Sequence, residues 1–339
     1  MNRLLTTALL AALSVMLFVT SAFAEHIFGP DELDTTYGAY LRFRQETWDN
    51  VFDFKSGDHK DDNFFRLKTS LWTKFDYDKR YIFFIKLTNE ARYFMNSSNT
   101  SSRPFGLNED ELVFDNLYLE AKDFMGLPVD LKIGRQDFLF THGEGFLIMD
   151  GTPMDGSRTF YFNAAKANIR FNKEFNLDLI YITDQSTDRY LPSLYPAEKR
   201  VINTSDEKGF VAYGRVKAMD NLTVEPYYIY KREDTDTGPD GKLDINAMGA
   251  HIVYKYNNWK FGGEYAHQWG EYDSGRDRRA NGGYVYVKRS YNDIMWKPGF
   301  ELRYVYLSGD DPDTDKNEAW DPLFSRWPWM SELFILTLA

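Results

Sequence analysis

The chain has 339 residues, and its 40 basic and 51 acidic side chains give a formal net charge of −11 at pH 7. Such a chain would repel a polyanion, which argues against nucleic-acid binding. The complete lack of cysteine excludes a disulfide scaffold, thiol catalysis and cysteine-ligated zinc. The 27 Phe, 23 Tyr and 8 Trp residues make the chain unusually aromatic.

The N-terminal segment has the layout of a cleavable secretory signal. Arg3 supplies a positive charge, residues 4–19 form an apolar run, and cleavage after Ala24 follows an A-x-A motif. We therefore expect residues 1–24 to be removed and residues 25–339 to form the exported domain. A retained membrane anchor is the weaker alternative, because the apolar run is short. No later stretch reaches about 18 consecutive apolar residues, so a membrane-inserted chain has to cross with β-strands.

Alternation of apolar and polar residues with a period of two recurs along the chain and predicts antiparallel strands. In residues 65–76 the odd positions are mostly apolar, whereas the even positions include Arg66, Lys68 and Lys74. A helix would distribute these charges around its circumference, but a strand gathers them on one face. The same alternation returns in residues 83–93, 116–122 and 165–171.

Short and long connectors alternate between the predicted strands. The short ones suit tight hairpins, and the long ones are rich in Gly, Asp, Ser and Asn. This rhythm is typical of an outer-membrane barrel, which has short periplasmic turns and long outer loops. The short connectors are residues 76–80, 125–128, 172–174, 219–221 and 256–258, and the long ones are residues 96–110, 141–157, 184–208, 233–243 and 270–282.

The sequence therefore predicts an all-β fold, a transmembrane antiparallel up-and-down β-barrel with 14 visible strands. A soluble antiparallel sandwich or propeller would also alternate, but several predicted strands exceed the usual length of about five or six residues. The last predicted strand begins near Glu332 and is short for a membrane span. Since a closed barrel pairs its last strand with its first, we expect either closure at this point or a C-terminally truncated part of a barrel with about 16–18 strands.

Two patches of the sequence carry distinctive motifs. The first patch consists of residues 133–136 (Ile-Gly-Arg-Gln), 143–145 (Gly-Glu-Gly), 150–153 (Asp-Gly-Thr-Pro) and 156–160 (Gly-Ser-Arg-Thr-Phe), and the second of residues 304–310 (Tyr-Val-Tyr-Leu-Ser-Gly-Asp) and 320–324 (Trp-Asp-Pro-Leu-Phe). Together they resemble the alginate-export family of outer-membrane porins, and the resemblance follows most of the mature chain in order.

The resemblance implies a wide monomeric barrel of about 18 strands with an electropositive pore that passes an acidic polysaccharide outward. The chain departs from the family pattern at Tyr161, Phe162 and Asn163, where the family usually has an Asp-Gly pair after the Arg-Thr-Phe sequence. This departure changes the pore lining that the resemblance implies at this point.

Basic residues outnumber acidic ones on the predicted inner faces, although the net charge of the chain is negative. We therefore expect an interior that favours anions, with the acids in the loops. Alternatively, the charges pair across strands and merely fill the lumen. The predicted pore-lining cations are Arg42, Arg44, Arg66, Lys68, Lys86, Arg92, Lys166, Arg170, Arg215, Lys217 and Arg303, with Lys74, Lys132, Lys231, Lys255 and Lys260 on the same faces, and the acids there are Glu46, Glu90, Glu120, Asp178, Glu225, Glu264 and Glu301.

Arg135 and Gln136 are further predicted pore residues. Arg135 shares strand parity with Leu131 and Ile133, which would direct it to lipid unless Gly134 marks a β-bulge. We expect such a bulge to turn Arg135 inward, where together with Gln136 it fixes the adjacent long loop inside the pore.

Other polar clusters give weaker indications of a site. The acidic loop from Asp310 to Asp321 offers oxygen ligands for Ca²⁺, but its spacing misses the EF-hand pattern. A solvated loop is the preferred interpretation, and no cofactor is expected. His142, His251 and His267 lack zinc-site spacing. No nucleophile motif or Ser-His-acid arrangement indicates an enzyme.

The sequence thus predicts a non-enzymatic porin in the outer membrane of a Gram-negative bacterium. We expect it to lie in lipid as a monomer and to export an acidic, uronate-type polysaccharide. The alternatives are a general or small-anion porin of different specificity, a barrel enzyme at the cell surface, and a non-conducting structural or docking barrel. Conductance with and without uronate oligomers separates these functions.

Overall fold

The structure is a computed structural model built almost entirely from β-strands. It describes residues 32–48, 62–95, 105–149, 159–192, 194–195, 201–234 and 240–326. Within these ranges the only helical element is a single 3-10 turn, Phe124–Gly126. No helix in this part of the chain is long and apolar enough to cross a membrane.

Thirteen strands form one antiparallel sheet, in which each strand pairs with the next one of the sheet along the chain. Two further strands of two residues each, β6 and β15, form a separate parallel pair. The bounds are β1 Leu33–Trp48, β2 Asp62–Tyr77, β3 Tyr81–Phe94, β4 Gly106–Ala121, β5 Val129–Gln136, β6 Ile148–Met149, β7 Phe162–Arg170, β8 Phe175–Asp184, β9 Asp206–Met219, β10 Leu222–Asp234, β11 Leu243–Tyr256, β12 Trp259–Tyr272, β13 Asp277–Ser290, β14 Gly299–Leu307 and β15 Phe324–Ser325.

The up-and-down strand order confirms the predicted architecture of an antiparallel transmembrane β-barrel. Hairpin-joined strands of this length match the spans of such a barrel. Within the described residues, β1 and β14 are the two edges of the sheet. The predicted signal segment, the predicted last strand from Glu332 and the motif residues 150–158 lie outside the described part of the chain.

The two faces of the sheet differ as the alternation predicts. On β1, Leu41 and Phe43 are 72% and 63% exposed, whereas their neighbours Arg42 and Arg44 are partly buried. On β2, Lys68 pairs in register with Arg42 and is fully buried. In a membrane barrel the exposed apolar face contacts lipid and the opposite face lines the lumen. The charged positions of β1 and β2 are therefore luminal.

The predicted long connector at residues 270–282 is wrong. β12 and β13 extend into it, and only a tight turn with Gly275 at φ 84° joins them. Gly270 belongs to β12. Glycine is needed at this position because a Cβ would lie 2.1 Å from the backbone oxygen of Asp244. Glycine marks a close approach of two strands here and not a loop.

A hydrophobic core fills part of the space on the inner face of β7–β13. Two connecting segments, residues 137–149 after β5 and residues 319–326 after β14, pack there, and we call them together the luminal stopper. β6 of the first segment pairs with β15 of the second, and Phe146 stacks on Trp320 with 5.1 Å between ring centroids. The strand residues of this core are Phe162, Ala164, Ile180, Ile182, Val211, Tyr213, Tyr227, Ile229, Leu243, Ile245, Ala247, Ala266, Tyr284 and Tyr286.

The stopper contacts the strands mainly in the half nearer the long loops. Ile182, Val211 and Ile245 belong to this half of β8, β9 and β11, and all three are fully buried. Short turns mark the periplasmic end of a barrel. The stopper therefore closes the outer half of this side of the lumen.

Leu41→Arg tests the assignment of the two faces. A guanidinium near the middle of β1 on the outer face would enter hydrocarbon, so we expect the free energy of unfolding from lipid vesicles to fall by about 2–4 kcal/mol. The matched control is Tyr40→Arg, which adds the same charge at the adjacent inner-facing position. Urea titration followed by tryptophan fluorescence measures both variants, and an equal loss in the two would contradict the assignment.

Candidate functional site

Three arginines form a row across the inner face of β1–β3, which we call the arginine row. Arg66 pairs in register with Arg44 on one side and with Arg92 on the other. Glu46 Oε1 lies 2.6 Å from Arg44 Nε and 3.1 Å from Arg66 Nη1, and Asp110 Oδ1 lies 2.7 Å from Arg92 Nη2. The Arg44 and Arg92 side chains remain 27% and 32% exposed. The row therefore presents guanidinium groups to the lumen.

A second set of charges lies next to the arginine row, further from the long loops. Arg42 Nη2 lies 3.6 Å from Glu90 Oε1, and Lys86 Nζ lies 2.7 Å from Asp115 Oδ2. Lys68 sits in register between Arg42 and Glu90. It is fully buried, and its Nζ makes no hydrogen bond within the described residues. Lys68 is thus part of the wall and does not reach a passing solute.

Two β-bulges on β4 bring two acidic side chains to the inner face. Strict alternation would place these side chains elsewhere. The β3–β4 register shifts twice, and it skips Asp115 at one shift and Asp110 at the other. These two carboxylates are the ones that pair with Lys86 and Arg92. A bulge redirects a side chain, so counting alternate positions in the sequence misses both acids.

Arg170 and Lys217 lie at the short-turn mouth of the barrel. Arg170 ends β7 and binds Asp123 of the neighbouring turn and Asp130 at the start of β5. Lys217 Nζ lies 2.8 Å from Asp220, and its side chain is about half exposed. Both cations hold turns closed at this end of the barrel.

Arg135 forms a buried two-pronged ion pair with the long loop after β8. Its Nη1 and Nη2 donate to the carboxylate oxygens of Asp188 at 3.0 and 2.7 Å, and its guanidinium carbon lies 3.8 Å from the centre of the Tyr161 ring. Burial acts to raise the pKa of Asp188, but hydrogen bonds and charge from Arg135 outweigh it, and the pKa is lowered. Arg135 therefore anchors this loop through an ionised carboxylate.

The predicted β-bulge at Gly134 is wrong. The β5–β7 register passes through Gly134 without a shift. Glycine is needed there, at φ 128°, because a Cβ would lie 2.3 Å from the Leu117 backbone oxygen.

Without a bulge, Arg135 keeps the strand parity of Ile133, which is exposed on the outer face, so the expected inward turn is also wrong. Arg135 is buried because the loop with Asp188, and not the long loop that follows β5, covers it. Gln136 donates to a backbone oxygen of β7 at 3.0 Å, so it ties two strands together.

Charged contacts hold the tip of the first stopper segment. Glu144 Oε2 lies 2.8 Å from Arg303 Nη2, and Oε1 lies 3.4 Å from Lys260 Nζ. His142 Nε2 and Asp178 Oδ2 are 3.0 Å apart. Burial lowers the pKa of His142, although its hydrogen bond with Asp178 acts in the opposite direction. The imidazole is accordingly neutral at pH 7 and serves as a hydrogen-bonding group.

Lys166 and Arg215 lie on the periplasmic side of this tip. Lys166 Nζ is 3.9 Å from Asp178, and Arg215 Nε is 2.8 Å from Glu225. Arg215 also donates to the backbone oxygen of Thr141 at 2.7 Å. These two predicted pore residues therefore contact the stopper and its partners from the periplasmic side.

A buried cation anchors the second stopper segment. Lys231 Nζ donates to the backbone oxygen of Leu323 at 2.8 Å and lies 3.3 Å from Glu207. Arg278 Nη2 lies 3.6 Å from Asp321. Removal of one member of such a buried pair leaves an uncompensated charge, so this segment is fixed firmly to the barrel wall.

Paired charges cover the described part of the inner surface. Every predicted pore-lining cation except Lys68 forms an ion pair within the described residues. The pairs of Arg170 and Lys217 lie at the short-turn mouth, and Arg135 pairs with the loop after β8.

More acidic side chains lie in the lumen than the sequence predicts, because the stopper brings loop carboxylates, including Glu144 and Asp321, into it. One signal in the sequence points to this: the consecutive apolar residues 146–149 lie inside a long loop, where they need burial.

The carboxylates of the acidic loop after β14 bind the loop itself. Asp310 accepts a hydrogen bond from the Glu318 backbone N–H at 2.8 Å and lies 3.3 Å from Arg276. Asp311 accepts one from the Asp313 backbone N–H at 3.0 Å. Across the described ranges, no group of three or more acidic or histidine side chains is arranged to hold a metal ion.

Arg135→Ala tests the anchor of the loop after β8. It leaves Asp188 buried without its counter-charge, so we expect the closed loop to lose about 3–5 kcal/mol of stability. Faster proteolysis of this loop and an altered single-channel current report the loss. Arg170→Ala, which breaks an exposed pair, is the control and should cost less than about 1 kcal/mol. Unchanged protection and current in Arg135→Ala would refute the anchoring role.

Comparison with known proteins identifies the family. The model of the alginate export family matches residues 34–334, and no curated protein matches the chain. Similar solved structures include an anion-selective porin from Comamonas acidovorans (13% identity, 81% of this chain and 78% of that chain covered, TM-score 0.45). Others are OmpF of Salmonella typhi in complex with daunomycin (12%, 85% and 82%, 0.42) and a BenF-like porin from Pseudomonas fluorescens (9%, 84% and 85%, 0.40).

Similarities to solved structures at these identities and TM-scores carry no functional argument. The family match is of a different kind, because it spans most of the chain and includes both distinctive sequence patches. The strand order described above agrees with it. The chain therefore belongs to the alginate export family and is an outer-membrane porin.

Proposed function

We propose that this porin is a passive conduit for anionic solutes and that its main substrate is an acidic, uronate-type polysaccharide, which it exports. Membership of the alginate export family supports this substrate class, and the arginine row is the structural observation that carries the proposal. The conduit works as a monomer in outer-membrane lipid, without a cofactor and without catalysing a reaction.

Neighbouring guanidinium groups suit a polymer that carries a carboxylate on each unit. Adjacent strands are about 4.8 Å apart, so the arginine row offers closely spaced donors along the wall. Arginine can bind a carboxylate in a two-pronged manner. In the row itself a single carboxylate can also bridge two arginines, because one oxygen of Glu46 lies close to both Arg44 and Arg66. A substrate carboxylate would take an equivalent position.

The protein carboxylates keep the contact with substrate weak. Transport requires release as well as binding, and a polymer held by many unpaired arginines would stay bound. Here an arriving uronate replaces Glu46 or Asp110 at an arginine, and the protein carboxylate returns when the polymer moves on. The free energy of each exchange is therefore small.

The almost complete charge pairing favours a second candidate, a general or small-anion porin. A surface of mixed sign lets small ions pass but offers no continuous positively charged track for a polymer. Wild-type protein in a planar bilayer distinguishes the candidates. A uronate-polymer porin shows transient block of its chloride current by uronate oligomers, whereas a small-anion porin conducts chloride with no such block.

Arg44→Gln and Arg92→Gln test the role of the arginine row. A unit charge about 4 Å from an ion contributes roughly 1 kcal/mol in water, so we expect each variant to reduce the anion-to-cation permeability ratio by about fivefold. Reversal potentials in a KCl gradient measure the ratio. Arg279→Gln is the control, because it removes the same charge from an exposed side chain on the outer face of β13. It should leave the permeability ratio unchanged. An equal effect of all three substitutions would overturn the proposal.

A further inference from the structure

Glu144 fills a site that consists of two cations and an aromatic ring. Its carboxylate oxygens lie 2.8 Å from Arg303 Nη2 and 3.4 Å from Lys260 Nζ. The Tyr286 ring lies beneath both cations, with its centre 4.7 Å from the Arg303 guanidinium carbon and 5.1 Å from Lys260 Nζ. Two positive groups converge here on one carboxylate, which is the arrangement that a carboxylate ligand needs.

The site is open to solvent even though Glu144 occupies it. The side chains of Lys260, Arg303 and Glu144 are 37%, 24% and 23% exposed. Burial acts to raise the pKa of Glu144, but Arg303 and the Tyr286 hydroxyl act in the opposite direction more strongly, so its pKa is lowered. Glu144 is therefore an anion at neutral pH, and another anion of the same kind can compete with it.

The backbone around Glu144 allows it to leave the site while the stopper stays in place. Gly143 and Gly145 flank it with φ angles of 58° and 81°, a conformation that glycine adopts without strain. The residues beyond them, His142 and Phe146, are buried against the barrel wall. A displacement of Glu144 is thus confined to a short tip between two fixed points.

The position of the site fits a polymer that arrives from the periplasm. Lys260 is the second residue of β12 after a short turn, and Arg303 lies in the middle of β14. Short turns face the periplasm in such barrels. The arginine row lies in the half of β1–β3 nearer the long loops. An exported chain would therefore meet the site under the stopper before it reaches the row.

We propose that Lys260, Arg303 and Tyr286 form a binding subsite for one uronate sugar, and that Glu144 is an internal substitute for the sugar carboxylate. The uronate carboxylate pairs with the two cations, which Tyr286 supports from beneath, and Glu144 moves into solvent. No covalent bond changes. The ligand class rests on the proposed function, whereas the site itself rests on the contacts of Glu144.

Because Glu144 occupies the subsite, the apparent affinity of the subsite for a ligand is weakened in a predictable way. If Glu144 leaves the site vacant for one-tenth of the time, the apparent dissociation constant is about tenfold weaker than that of the empty site. Replacing Glu144 by a neutral residue should remove this weakening of the apparent dissociation constant. A contact that serves only to fix the stopper would produce no such gain in affinity.

Calorimetric titration of the full-length protein in detergent with glucuronate, and with glucose as the neutral probe, tests the proposal. We expect Glu144→Gln to lower the dissociation constant of glucuronate by about tenfold, Arg303→Gln and Lys260→Gln to abolish binding, and glucose not to bind. Glu301→Gln is the matched control, because Glu301 also contacts Arg303, at 2.8 Å, but does not bridge the two cations. It should change the dissociation constant much less.

Three results would overturn the subsite. These are an unchanged or weaker affinity in Glu144→Gln, an equal gain in Glu301→Gln, and equal binding of glucose and glucuronate. Heat-modifiable migration on gels confirms that each variant is a folded barrel before titration. Binding in detergent does not depend on conduction. If the protein binds glucuronate as expected but its current does not prefer anions, the proposed function fails while the subsite stands.

Discussion

The structure depends on one constraint: charges that the sheet directs into the barrel have to be compensated there, because the packed strands and the stopper bury many of them. Burial of an unpaired charge costs several kcal/mol. The arginine row satisfies the constraint with Glu46 and Asp110, and the stopper satisfies it with Glu144, Asp321 and their partners. The wall therefore combines charges of both signs and exposes only some of its cations.

The same constraint makes the lumen asymmetric. On the β1–β3 side, long charged side chains meet across strands. On the β7–β13 side, the inner positions in the outer half are mainly apolar, with buried charges such as Lys231 and Arg278 among them, and the stopper covers this surface. Cations return below the stopper, where Lys260 and Arg303 hold its tip. An anion that crosses the barrel thus meets positive groups at two levels, on different parts of the wall.

Local sequence patterns predict the fold well, since alternation and turn composition are local properties. The contrast between Leu41 and Arg42 can be read from the sequence, as can most hairpins. The resemblance to the family also comes from contiguous motifs, and the match over residues 34–334 confirms it.

The candidate site depends on contacts between distant parts of the chain, which alternation does not contain. The stacking of Phe146 on Trp320 decides that two loops enter the lumen. Two bulges place Asp110 and Asp115 against luminal cations. Arg135 is buried because a loop 53 residues further along the chain covers it. In each case the deciding contact is non-local, so the sequence indicates the charges but not their partners.

The most direct test of this account maps which side chains face lipid, water or the stopper. The chain has no cysteine, so single Phe43→Cys, Arg44→Cys and Val211→Cys variants can be compared in vesicles of brominated lipid. An anionic thiol reagent should label Arg44→Cys rapidly and Val211→Cys slowly, and a fluorophore on Phe43→Cys alone should be quenched by the lipid. Rapid labelling of Val211→Cys would contradict a closed stopper, and lipid quenching at Arg44→Cys would contradict a luminal arginine row.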